Sequence, residues 1–140
     1  MASYNKFLQF TKDLIDGVHD FDAHTFKVAL TNSAPVNTNT VLANITQISN
    51  GNGYTTGGTA TSISTSTSSG TAKVTGTDVV FTASGGSIGP FRYAVLYNDT
   101  PTSPADPLMA WWDYGSSVTL ADTETFTVDF DASNGIATFT

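Results

Sequence analysis

The chain has 140 residues, no cysteine, and 12 carboxylates against 5 Lys and Arg, for a formal net charge of -7. Charged side chains make up only 12% of it, while 24 Thr and 14 Ser carry the polarity; an ordinary soluble domain carries about 25% charge. Nine Phe, five Tyr and two Trp supply a core and set the chain apart from disordered sequences, the missing thiols exclude a disulfide framework or thiolate metal site, and the acidity disfavours a nucleic-acid partner.

The first patterned segment runs from Ser3 to Asp16. Tyr4, Phe7, Leu8, Leu14 and Ile15 recur at helical spacing, which predicts a helix over about 3–16 with Ser3 as N-cap and Gly17 as its C-terminal stop. The opening residues show neither a cationic n-region nor a continuous apolar stretch, so no secretory signal is expected. No apolar run approaches the roughly 18 residues of a membrane span, and no membrane partner is expected. Within the connector that follows, His19, Asp20, Asp22 and His24 crowd together. Their spacing is not that of a helical ligand pair, and a solvated connector whose Asp side chains cap turns accounts for them.

Phe26, Val28 and Leu30 alternate with Thr25, Lys27 and Ala29 as in a half-buried strand. A short helical turn is expected near 41–45. Ser49 to Gly58 is a loop whose four glycines permit positive φ or close backbone approach; it lacks the Lys-Ser/Thr ending of a phosphate cradle. Thr59 to Ser69 is almost purely Ala, Thr and Ser, and its β-branched spacing favours a solvent-facing edge strand over disorder. Ser69-Gly70 then turns into a strand at 71–75, and Gly76-Thr77 bends into one at 78–83.

Phe91 to Asn98 is the strongest strand: Phe91, Tyr93, Val95 and Tyr97 are expected on one face and Arg92, Ala94 and Leu96 on the other, so it should be central. Arg92, if buried, requires an Asp partner. The Pro-rich stretch from Thr100 to Pro107 is a loop, and Leu108 to Tyr114 is a strand carrying Trp111-Trp112. Thr125 to Asp131 turning through Asn134-Gly135 into Ile136 to Phe139 reads as a hairpin. Asp129 to Gly135 begins like a calcium loop, but its glycine is one place late and no closing Glu follows.

These elements predict one domain over 1–140: an antiparallel all-β sandwich, of the jelly-roll or Ig-like kind, with seven or eight strands over about 25–140 and one N-terminal α-helix. No nucleophile elbow or spaced carboxylate pair is present, so an enzyme is not expected, and no cofactor or metal is implied. The residues singled out for recognition are aromatic: Trp111, Trp112, Tyr114 and Tyr54, suited to a protein interface. Trp111 and Tyr114, with the 51–58 loop, are also suited to a sugar.

Four segments carry a resemblance: Met-Ala-Ser-Tyr-Asn-Lys-Phe at the start, Phe-Lys-Val-Ala-Leu-Thr-Asn at 26–32, Gly-Asn-Gly-Tyr-Thr-Thr-Gly-Gly at 51–58, and Phe-Thr-Ala-Ser-Gly-Gly-Ser-Ile-Gly-Pro-Phe-Arg-Tyr-Ala-Val-Leu-Tyr-Asn-Asp at 81–99. Over nearly its whole length the chain resembles small virion structural proteins of tailed bacteriophages. That resemblance implies a non-enzymatic capsid decoration or cement protein, with a tail or fibre component as the alternative. The expected partners are the major capsid protein and copies of itself, as a trimer. The expected location is the virion, on the capsid exterior, after assembly in the host cytoplasm. The resemblance brings no functional residues with it.

Overall fold

A computed structural model describes residues 2–140, and the architecture is an antiparallel β-sandwich with one α-helix. Strands β1 (Tyr4–Lys6), β2 (Phe26–Thr31), β3 (Thr59–Thr61), β7 (Ile88–Asn98) and β8 (Leu108–Leu120) form a five-stranded sheet in the order β1-β8-β7-β2-β3. Two smaller sheets face it: β4 (Ile63–Ser68), β5 (Thr71–Gly76) and β10 (Ala137–Phe139) in the order β10-β5-β4, and β6 (Val79–Thr82) with β9 (Thr125–Val128). The ten strands exceed the expected seven or eight because the chain divides its polar stretches into pieces of three to six residues.

The large sheet is covered on both faces. On one side Phe26, Val28, Leu30, Phe91, Ala94 and Leu96 pack with Val79, Phe81 and Val128 of the smaller sheets and with Ile136, next to β10. On the other, Phe7, Ala29, Val95, Tyr97 and Leu108 form a second cluster with Leu42 and Ile45, beside the 3-10 turn at Leu42–Asn44. Burial on both faces corrects the half-buried reading of β2, whose Ala29 and Thr31 are as buried as Phe26 and Val28, and agrees with the central place expected of β7.

The N-terminal segment corrects the helical reading. The helix α1 spans only Leu8–Ile15, and Tyr4, Asn5 and Lys6 instead pair with Trp112, Trp111 and Ala110 on β8. An open sheet edge offers these backbone groups a ladder, which outweighs the weak propensity of one extra helical turn. Ser3 therefore caps nothing, and Phe7 stands at the N-cap without a side-chain bond. The buried face is Phe7, Phe10 and Leu14 with Asp13, whereas Leu8 and Ile15 are 57% and 80% exposed. Gly17 does end the helix in the left-handed region, with φ +77°.

Two further expectations change. Thr125–Val128 and Ala137–Phe139 are not a hairpin: β9 pairs with β6, and β10 pairs with β5. Between them Asp131 Oδ1 accepts the Ser133 and Asn134 N–H groups, and Phe130 and Ile136 both enter the core, so the two arms diverge to different sheets. In β7 the strict alternation fails. The pairing shifts between Phe91 and Tyr93, which puts Phe91 into the same core as Ala94 and Leu96 while Arg92 and Tyr93 are half-exposed. A bulge inverts the facing of everything before it.

Candidate functional site

That bulge builds the most distinctive surface of the molecule. From the Phe91–Val118 pair to the Tyr93–Asp113 pair, β7 contributes Arg92 alone and β8 contributes Tyr114, Gly115, Ser116 and Ser117. Gly115, at φ +101°, supplies the turn that the surplus residues require. Arg92 grips the start of the bulge through Nε to Asp113 Oδ1 at 2.7 Å and a terminal nitrogen to Oδ2 at 3.0 Å; the Gly115 N–H donates to the same carboxylate at 2.8 Å. These donors hold the Asp113 carboxyl below the usual carboxylate range, the Arg92 bond being the larger cause. Arg92 thus meets the Asp partner expected of it, in a pair that is half-exposed instead of buried.

Tyr114, carried outward on the bulge and 56% exposed, lies edge-on to Phe126 of β9 at 5.3 Å. Opposite it, Tyr4 meets Trp112 at 5.9 Å and Trp112 meets Phe130 at 5.4 Å, again edge to face. The two aromatic rows border an open cleft of about 990 Å³ between the large sheet and the 126–136 segment. Burial also raises the Tyr4 phenol above its ordinary value, so the hydroxyl is a neutral donor.

Asp78, Asp129 and Asp131 lie at the rim. Asp78 accepts the Phe130 N–H at 3.0 Å, and Asp131 is lowered in pKa by bonds from Asn134 and Ser133. The Asp131 carboxylate, held ionised by these donors, can accept hydrogen bonds or face a cation; it is poorly suited to deliver a proton at neutral pH. Among the described residues no three His, Asp or Glu side chains converge as a metal site.

The four aromatic residues singled out from the sequence part company. Trp112 and Tyr114 line the cleft. Trp111, one position along β8, points to the opposite face and packs on Phe7 at 4.6 Å, so it shares no surface with them. Tyr54 is 2% exposed; its ring sits in the core against Phe81 and its hydroxyl bridges the Leu30 N–H and Gln47, so it has no ring surface to offer a partner. The glycine loop around Tyr54 is a support for β2: β3 ends opposite Val28, and the Tyr54 hydroxyl takes over as acceptor for the next edge N–H. Tyr4, Phe126, Phe130 and the rim carboxylates were missed. Helical spacing claims Tyr4, and nothing in the spacing of residues 126–131 says that they approach β8.

The connector with both histidines is also different from its expected solvated form. Asp20 does cap the turn, accepting from Asp22 and Ala23. His19, however, is only 7% exposed, and the fully buried Asn98 amide lies 3.1 Å from His19 Nδ1 and 2.9 Å from His24 Nδ1. Comparison with family models, curated proteins and solved structures finds no match for this chain. Fold and cleft together define an all-β protein with an aromatic cleft lined also by carboxylates.

Proposed function

We propose that the chain is a non-enzymatic structural component of a tailed-phage particle, a capsid decoration protein that docks on the assembled head against the major capsid protein. The resemblance of residues 26–32, 51–58 and 81–99 to such proteins supports this reading. The structural observation that carries it is the cleft bordered by Tyr4, Trp112, Tyr114 and Phe126, an exposed aromatic surface on a sheet that is packed on both sides. Aromatic side chains of this kind anchor protein interfaces, and a stiff scaffold limits the entropy lost on docking. The hydroxyl-rich, weakly charged remainder makes hydrogen bonds with little charge desolvation.

The test is co-sedimentation of the purified protein with phage heads stripped of it. The expected result is saturable binding to assembled heads, none to free coat subunits, and loss of binding in Trp112→Ala and Tyr114→Ala. Failure to bind heads overturns the reading, and antibody labelling confined to tails would replace it with a tail or fibre component. A second reading is favoured by the same cleft: aromatic side chains beside carboxylates suit a neutral sugar, with Trp112 and Tyr114 in place of Trp111 and the 51–58 loop. A glycan array without hits removes it.

A further inference from the structure

The β4-β5 hairpin is built for pairing on one side only. Its two-residue turn, Ser69-Gly70, has φ +49° and +80°, the left-handed pair of a tight hairpin, so Ser68 and Thr71 exchange hydrogen bonds. Alternation from that pair directs the backbone groups of Ser64 and Ser66 toward β5 as well, and the Thr77 N–H to Ser62 bond continues the series. The N–H and C=O groups of Ile63, Thr65 and Thr67 therefore point away from β5. β4 is the last strand of its sheet, and none of the backbone hydrogen bonds outside the ladders involves residues 63–68. The strand is exposed on both faces from Ser64 to Ser68.

Open edges of this length are ordinarily guarded by a charge, a proline, a bulge or brevity. The other terminal strands are shorter: β1, β3 and β10 have three residues each, β6 and β9 four. β4 has six, without charge, proline or bulge. Charge also selects the occupant. A chain of net charge -7 repels its copies, yet the sequence carries no carboxylate between Asp22 and Asp78. Asp22 brings a carboxylate to this strand, where it accepts from the Thr65 hydroxyl at 3.4 Å.

We propose that β4 is a homotypic pairing edge: two copies of this chain join their β4 strands antiparallel about a two-fold axis at Thr65. The outward groups are self-complementary in that register. Thr65 faces Thr65 of the second copy as a hydrogen-bonded pair, and Ile63 faces Thr67, which joins the two hairpin sheets into one continuous sheet. Main-chain bonds hold the contact, and opposed Ser and Thr side chains add neutral hydrogen bonds. This contact is independent of the cleft and of what the cleft binds.

Because the chain has no cysteine, one introduced thiol reports the register. Thr65→Cys is expected to form a disulfide-linked dimer under mild oxidation, since Cα atoms of a hydrogen-bonded antiparallel pair lie about 5.5 Å apart, within disulfide reach. Ser116→Cys, equally exposed on the β8 bulge, is the reference for random collision. In sedimentation equilibrium without oxidant, the unmodified chain should dimerise reversibly. Thr65→Pro removes one outward donor per copy while sparing the bonds to β5, and should weaken dimerisation by on the order of ten-fold or more. Thr67→Lys restores a guard at the edge without altering the backbone and should act in the same direction. A chain that stays monomeric at millimolar concentration, or Thr65→Cys cross-linking no faster than Ser116→Cys, overturns the proposal.

Discussion

Asn98 is fully buried, and each atom of its amide has a task. Its Oδ1 accepts the Thr100 N–H, which fixes the amide orientation, and its Nδ2 donates to Nδ1 of both His19 and His24. Both rings therefore carry their proton on Nε2, and the Asp20 N–H on His24 Nδ1 agrees with that assignment. Burial pushes the His19 pKa down to about 4, outweighing the pull of Asp13. The unfolded chain takes up this proton near pH 6.5 and the folded one does not. The resulting stability is complete above pH 6.5 and is lost as the pH falls from there to about 4; it amounts to at most roughly 3 kcal/mol. Thermal unfolding followed from pH 7 to pH 4 should show a falling midpoint, and the slope should flatten in His19→Gln. Asn98→Asp should do the opposite to the ring, raising the His19 pKa in an NMR titration, because a carboxylate replaces a donor at Nδ1. A second residue-scale expectation concerns Tyr54. Tyr54→Phe strands the Leu30 N–H and should cost about 1–3 kcal/mol in denaturant unfolding while leaving cleft binding unchanged.

At the scale of elements, the β8 bulge and the glycine loop show how local irregularity sets the surface. Arg92 and the Gly115 N–H hold one end of the bulge through Asp113. Asp113→Ala should free residues 114–117, seen as faster amide exchange there, and weaken cleft binding because Tyr114 loses its fixed place over Phe126. Core strands should keep their protection. Gly58, at φ +77°, leaves no space for a side chain: a Cβ would overlap the Val28 carbonyl oxygen. Gly58→Ala should therefore destabilise the fold by about 3 kcal/mol or more, measured by chemical denaturation. The strand at 26–31, though not its burial on both faces, the alternation at 79–82, the Ser69-Gly70 turn and the Pro-rich loop were legible because each is decided by neighbours in sequence. The extent of α1 was not, since Tyr4 to Lys6 answer to β8, more than a hundred residues away. The facing of Phe91 was not either, because the surplus residues that shift it belong to the partner strand.

At the scale of the molecule, two surfaces with different chemistry emerge from one acidic chain. The cleft gathers aromatic rings and carboxylates, and the β4 edge is neutral and hydroxylic. Tyr114 is more than half exposed, so Tyr114→Ala should change the unfolding free energy by less than about 0.5 kcal/mol and still abolish head binding; equal losses in both would mark it as structural.

The sequence by itself determined the all-β class, the single N-terminal helix, the turn positions and the hydroxyl-rich strands, because period-two alternation, positive-φ residues and composition act over a few neighbouring positions. It could not decide which aromatics meet. Trp111 and Trp112 stand side by side in the chain and face opposite ways in the sheet, Tyr54 is drawn inward by an unpaired edge N–H, and Tyr4 and Phe130 reach the cleft from opposite ends of the chain. Only the tertiary structure sets those partnerships, since bulges, strand order and edge satisfaction depend on backbone groups that lie far apart in sequence.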